Sequence, residues 1–225
     1  MRTPGYALPG KALITATTAL LMLVPLLAQA QSQRDNYYRA EIVIVERIVK
    51  PENVRERMAS RVPETIDGIS QRMTVVREDG SIDSSLSLAP DNELHLRSAA
   101  QRLENSGRYR VLMSAGWYQS YPPDYEGQPM RVEIGDWLAD AGHREVEGHI
   151  TIDRQRYLHV GVHLNHWQPS ESSVYPIQEQ GPAALASRAE LLTWIRETRR
   201  MRSEEVHFLD SPTIGVLVFF KRIEG

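Results

Sequence analysis

The stretch EVEGHITIDRQRYLHVGVHLNHW, residues 145–167, constrains the fold more than any other part of the chain. In its first half Val146, Gly148, Ile150 and Ile152 fall on one side of an extended chain, and Glu145, Glu147, His149, Thr151 and Asp153 fall on the other. Asp153-Arg154-Gln155-Arg156 is a polar stretch of turn length, so the two runs read as a β-hairpin. The second run carries His159, His163 and His166. On a helix, His159 and His163 would share a face as the two ligands of H-E-x-x-H do. No Glu follows His159, however, and Tyr157, Val160 and Val162 favour a strand. On a strand the two imidazoles lie roughly 13 Å apart at about 3.3 Å per residue, too far to share one small cation whose bonds are about 2.0–2.1 Å. The run is a wall of a sheet with no metal site, and His166 points to the opposite face.

The first thirty residues read as a targeting segment. Arg2 and Lys11 precede the apolar run ALITATTALLMLVPLLA, and Ala28-Gln29-Ala30 fits the small-x-small cleavage rule. The run has 17 residues and contains Pro25, whereas a spanning helix takes about twenty. The expectation is a signal peptide cleaved after about Ala30, and a mature protein in the periplasm with no membrane span. Residues 31–37 form a polar lead, and 38–223 form a single domain. Loss of Arg2 and Lys11 takes the formal charge from −3 to −5, which argues against nucleic acid as a partner. The chain has no Cys, so thiol catalysis, Cys-ligated zinc and disulfide support are all closed to it. Lys occurs only at 11, 50 and 221; nearly all positive charge is Arg, which suits bidentate contact with carboxylates.

Along the chain, YRAEIVIVERIV has apolar residues on both sides at 42–45, which marks a central strand covered on both faces. Residues 50–90 form a long excursion rich in Pro and charge, expected to be mobile and partly ordered, with a small hairpin around Asp79-Gly80. DNELHLRSAAQRLENSG is the clearest helix, capped by Asp91 or Asn92, striped by Leu94, Leu96, Ala99, Ala100 and Leu103, and stopped at Gly107. RYRVLMSAGWYQ reads as a strand, RVEI as a short one, and 168–187 as a second mobile excursion. In ELLTWIRETRRMRSEEVHFLD the first half has helical spacing and the second half reads as strand. TIGVLVFFKRI closes the chain as a strand. The pattern predicts an α+β domain, a mostly antiparallel β-sheet packed against one or two helices.

Candidate chemistry is sparse. No G-x-S-x-G elbow surrounds Ser114, and "GQPMRVEIGDW" lacks the spacing of a phosphate loop. Glu145, Glu147 and Asp153 share a hairpin face, either as the acids of a wall hydrolase or as a solvated edge, which explains them better. Arg196, Arg199, Arg200 and Arg202 cluster on an otherwise acidic chain, either as ion pairs with Glu197, Glu204 and Glu205 or as a clamp for carboxylate or phosphate. Trp117, Tyr118, Tyr121, Tyr125 and Trp137 fall close together, a set suited to sugar stacking or to packing, with packing favoured for Trp117 in its strand.

Four stretches, AEIVIVERI (40–48), YRVLMSAGWYQ (109–119), EGHITIDRQRYLHVGVHLNHW (147–167) and RRMRSEEVHFLDSPTIGVLVFF (199–220), together resemble the CsiV family of periplasmic peptidoglycan-binding proteins. RYLHV and RRMRS–HFLD–P–GVLV carry most of the resemblance, and Ser114 and Ser211-Pro212 depart from it. It implies a secreted, non-enzymatic protein without a cofactor. Such a protein binds peptidoglycan and supports a class A penicillin-binding protein through its outer-membrane lipoprotein activator. By motif, the binding candidates are Arg156, Tyr157, His159, Arg199, Arg200, Arg202 and His207, with Trp117 added from the aromatic set. The competing expectation is an envelope protein–protein adaptor that makes no direct contact with the cell wall.

Overall fold

The structure is a computed structural model that describes residues 36–49, 54, 66–169 and 189–223. The signal segment, most of the polar lead, residues 50–53 and 55–65, and nearly all of the 168–187 excursion lie outside the described residues.

The strongly apolar segments at the two ends of the domain pair with each other. Strand β1 (Tyr37–Arg47) lies antiparallel to both β4 (Tyr109–Ser120) and β10 (Ile214–Arg222), and β9 (His207–Asp210) adds to β10. The sheet order is β4-β1-β10-β9. A second sheet runs β3-β2-β5-β6-β7-β8, formed from β2 (Arg72–Val76), β3 (Ile82–Asp83), β5 (Met130–Leu138), β6 (His143–Arg154), β7 (Leu158–Pro169) and β8 (Ala189–Arg200). All pairings are antiparallel except β2 with β5.

The expected single sheet is therefore two sheets, packed face to face around the main core. Alternation explains why. Tyr38, Ala40, Ile42 and Ile44 of β1 and Val216, Val218 and Phe220 of β10 face Val132, Ile134, Ile150, Val160, Val162 and Leu164 of the larger sheet. The other side of the smaller sheet carries Val43, Val45, Leu217 and Phe219. It is covered by Ala100 of the one α-helix among the described residues, α1 (Arg97–Asn105), and by Leu96 at its N-cap. The central, doubly covered strand expected at 42–45 is β1.

Helix α1 is shorter than its sequence pattern suggests, because Asp91–Glu93 form a separate 3-10 turn. Neither Asp91 nor Asn92 caps it. Glu41, 1 % exposed on β1, accepts the Leu96 N–H at 2.9 Å and the Arg39 Nε–H at 2.7 Å. Gly107 ends the helix region at φ 67°, as its position predicts. Residues 66–90, read as part of a mobile excursion, hold the expected hairpin: β2 and β3 pair and join the larger sheet through β5. The helical spacing at 190–195 is overruled. Ala189–Arg200 is one strand, paired along its length with β7. No helix among the described residues is long and apolar enough to cross a membrane.

Candidate functional site

The hairpin β6–β7 and its neighbours β5 and β8 turn one face inward to the core and one outward. Register arranges the outward side chains in rows across the sheet. Glu133, Glu147, Asn165 and Trp194 form one row; Arg131, His149, His163 and Arg196 form the next. Thr151, Gly161 and Thr198 follow, then Asp153, His159 and Arg200. Gly161 makes a dip in this face: a Cβ there would sit 2.5 Å from the Thr151 Oγ1. His149 and His163 lie side by side with ring centroids 4.8 Å apart, while His159 is two rows away beyond Gly161. His166 is on the opposite face, as expected. It is 3 % exposed, its Nδ1 is 2.7 Å from the Thr213 hydroxyl, and its Nε2 is 3.8 Å from the Glu46 carboxylate. Burial lowers its pKa to about 4 against the pull of Glu46, so it is neutral at pH 7.

Four of the motif residues meet where the β6–β7 turn rises beside the end of β8. Tyr157 is 40 % exposed, and the Arg200 guanidinium lies over its ring at 4.8 Å. Arg156 lies over the same ring at 5.6 Å. His159 anchors the turn, its Nδ1 3.0 Å from the Tyr157 carbonyl, and stands between Asp153 and Arg200 in register. Among the described residues neither Arg156 nor Arg200 has a carboxylate partner. The result is an aromatic ring framed by two guanidiniums free to take an anion, each ring contact contributing about 0.5–1 kcal/mol at an exposed site.

The other arginines are differently engaged, because consecutive residues of a strand face opposite sides. Arg199 points away from Arg200; its guanidinium pairs with Glu197 at 2.7 Å and donates to the Phe208 carbonyl at 2.5 Å. Arg202 pairs with Glu205 at 3.5 Å, and its backbone N–H donates to the His207 Nε2 at 3.0 Å. Arg196 donates to Asn165 Oδ1 and the Leu164 carbonyl. The cluster thus divides between the two readings open to it: Arg199 and Arg202 are ion-paired, and Arg200 joins Arg156. Trp117 leaves the candidate set altogether. It is 1 % exposed in the core, with its Nε1–H donating to Gln119 at 3.0 Å.

Tyr121 and Tyr125 stay close to Trp117, the first in the core and the second packed edge-on against the first at 5.5 Å, whereas Trp137 lies apart under Arg144. The acids separate too. Glu145 turns to Arg110 at 2.5 Å, because the irregularity between Ile134 and Trp137 leaves Gly135 beneath it. Glu147 accepts the Trp167 Nε1–H at 3.0 Å. Burial pushes both carboxyls up, against the opposing pull of Arg110 on Glu145 and of His143 on Glu147.

Beside the Tyr157 platform the structure adds a feature that pattern reading missed. A polar cleft of about 710 Å³ opens between the β6–β7 turn and the loop 124–127, lined by Asp124, Glu126, Asp153, Arg154 and Gln155. The loop is held there by two bonds, Arg154 N–H to the Tyr125 carbonyl at 2.8 Å and Gly127 N–H to Asp153 Oδ1 at 2.7 Å. Asp153 of the cleft and Arg156 of the platform lie within one turn of chain. Only the excess of charged residues at 124–126 and 153–156 hinted at this.

A sequence model of a family described as "Peptidoglycan-binding protein, CsiV" matches residues 15–223. No curated protein and no solved structure matches the chain.

Proposed function

The chain belongs to the CsiV family of peptidoglycan-binding proteins, and from that membership we propose that it is a periplasmic accessory protein that binds the cell wall without enzymatic activity. The observation that carries the reading to particular residues is the Arg156–Tyr157–Arg200 platform. Peptidoglycan offers the two chemistries that such a surface recognises. Stem-peptide carboxylates suit the paired-donor fork of Arg, and sugar faces suit an exposed aromatic ring. The adjoining cleft supplies acceptors for sugar hydroxyls and peptide N–H groups. Export behind the segment ending near Ala30 delivers the protein to its ligand. Support of a class A penicillin-binding protein through its outer-membrane lipoprotein activator is the role implied by the family resemblance. The attachment of Glu145 to Arg110 and of Glu147 to Trp167 supports the non-enzymatic reading, since neither carboxyl is free to act on a glycosidic bond.

Purified sacculi test the proposal. The mature protein is expected to sediment with them at physiological salt, and Arg156→Ala/Arg200→Ala to lose about tenfold in retention together with most of its salt sensitivity. Arg199→Ala/Arg202→Ala is expected to retain the parental affinity. A wild-type protein that stays in the supernatant overturns the reading and leaves the adaptor alternative. Muropeptides released during incubation would contradict its non-enzymatic part.

A further inference from the structure

Opposite charges stand unpaired side by side at the turn end of the larger sheet. Asp124, Glu126 and Asp153 line the cleft, and among the described residues no cation pairs with any of them. Arg154, in the same stretch, is engaged inward. Its guanidinium donates to Asn36 Oδ1 at 2.7 Å and to the Tyr121 carbonyl, and lies over the Tyr38 ring at 5.6 Å. Arg156 and Arg200 are likewise without a carboxylate, although Asp153 lies three residues before Arg156 and shares a row with Arg200.

Two contacts keep these charges apart. The Gly127 N–H holds Asp153 Oδ1 at 2.7 Å on the loop side, and the Tyr157 ring holds both guanidiniums on the other. His159 stands between, so the backbones at Asp153 and Arg200 are two strand spacings, about 10 Å, apart. The loop has a fixed seat against β6. Tyr125 bridges Arg154, and a Cβ at Gly127 would run into the Ile152 carbonyl. Acids on one side and guanidiniums on the other are therefore set in place before any ligand arrives.

We propose that cleft and platform form one bipolar site for a stem peptide whose diamino acid has not been cross-linked. The free ammonium of that residue lies among Asp124, Glu126 and Asp153, and the stem carboxylates lie on the Arg156–Tyr157–Arg200 side. The proposal rests on the peptidoglycan reading and narrows it from the polymer to one state of its peptide. A simple cation would leave the guanidiniums unanswered, and a simple anion the acids; a stem peptide with a free amine carries both signs on one chain. Among the described residues no three acidic or imidazole side chains converge closely enough to hold a metal ion, so the acids border a space for an organic group. Cross-linking through that amine turns it into an amide. The amide carries no charge, and the charge-assisted bonds to the cleft are lost. The site thereby distinguishes unlinked stems, and directs the protein to wall that has yet to be joined.

The test uses the full mature protein, titrated by calorimetry with N-acetyl-L-Ala-γ-D-Glu-meso-diaminopimelate and with the same tripeptide acetylated on its distal amine. The free form is expected to bind at least about tenfold more tightly, as loss of one charge-assisted hydrogen bond predicts. Asp124→Asn/Glu126→Gln removes two charges at nearly constant shape, and Asn tolerates the φ of 59° at position 124. This variant is expected to bind the two forms within about twofold of each other. Arg156→Ala/Arg200→Ala is expected to weaken both forms alike and to keep the preference. Acetylating the free amines of sacculi is expected to lower retention of the parent about fivefold and to leave that of Asp124→Asn/Glu126→Gln unchanged. Equal affinity of the parent for the two tripeptides overturns the proposal. So does a preference that survives in Asp124→Asn/Glu126→Gln, which moves the ammonium out of the cleft. A parent that sediments with sacculi yet binds neither tripeptide overturns this proposal alone and assigns the contact to the glycan strand; one that stays in the supernatant and binds neither overturns the peptidoglycan reading as well.

Discussion

At the scale of single residues, His166 shows how the fold sets a charge state that composition leaves open. Burial holds its pKa near 4, below the ordinary 6.5, so the folded protein binds fewer protons there than the unfolded chain between those values. Its stabilising contribution is complete above about pH 6.5 and is lost as pH falls toward 4. Between pH 7 and 4.5 the loss from this group is expected to be about 2 kcal/mol. Glu145 and Glu147 are shifted upward, so they act with the opposite sign and favour the folded state as pH falls. The His166→Asn variant separates the two: its urea midpoint is expected to fall less than the parent's over this range. Equal falls would remove His166 as the cause. Trp117 is the second instructive residue. Its aromatic neighbours left sugar stacking open while its strand favoured packing, and as a core residue its replacement by Ala is expected to cost about 3–5 kcal/mol in urea unfolding. A cost under about 1 kcal/mol would mean that the ring is not packed as described.

Among elements, the β6–β7 hairpin has its register fixed by a glycine as well as by alternation. Gly148 has φ 144°, and a Cβ there would lie 2.0 Å from the His163 carbonyl oxygen. Gly148→Ala is therefore expected to destabilise by about 3 kcal/mol, or roughly 6–12 °C in melting temperature. A variant melting within about 2 °C of the parent would show that the strands do not approach so closely. The hairpin was legible because Val146, Ile150 and Ile152 alternate strictly with polar residues. Strand β8 was not legible in its first half. Leu191, Leu192 and Ile195 also satisfy a helical repeat, and pairing with β7 from His159 to Pro169 is a long-range effect that no window of sequence contains. The cap of α1 failed for the same reason: Glu41 lies 55 residues before the N–H it accepts.

For the molecule as a whole, the two sheets divide the work that the sequence implied for one. The smaller sheet, covered by the larger sheet on one side and α1 on the other, holds the most apolar strands. The larger sheet keeps a polar outer face of Arg, His, Thr, Asn, Glu and Asp, with the platform at its turn end. An acidic protein can therefore present an Arg-framed ring, which is why loss of salt sensitivity in Arg156→Ala/Arg200→Ala is the informative reading in the sacculus assay.

The sequence by itself determined the local elements with strict periodicity: β1, the hairpin, the closing strand, the end of α1 at Gly107, and the strand character of the imidazole run. It also carried the family resemblance that residues 15–223 bear out. Only the tertiary structure decided that the strands form two sheets, that Arg200 joins Arg156 while Arg199 and Arg202 take carboxylates, and that Asp124 and Glu126 stand beside them. Periodicity is a property of neighbours along the chain, whereas a site depends on which strands lie side by side, and that choice is made by burial and pairing across the whole domain.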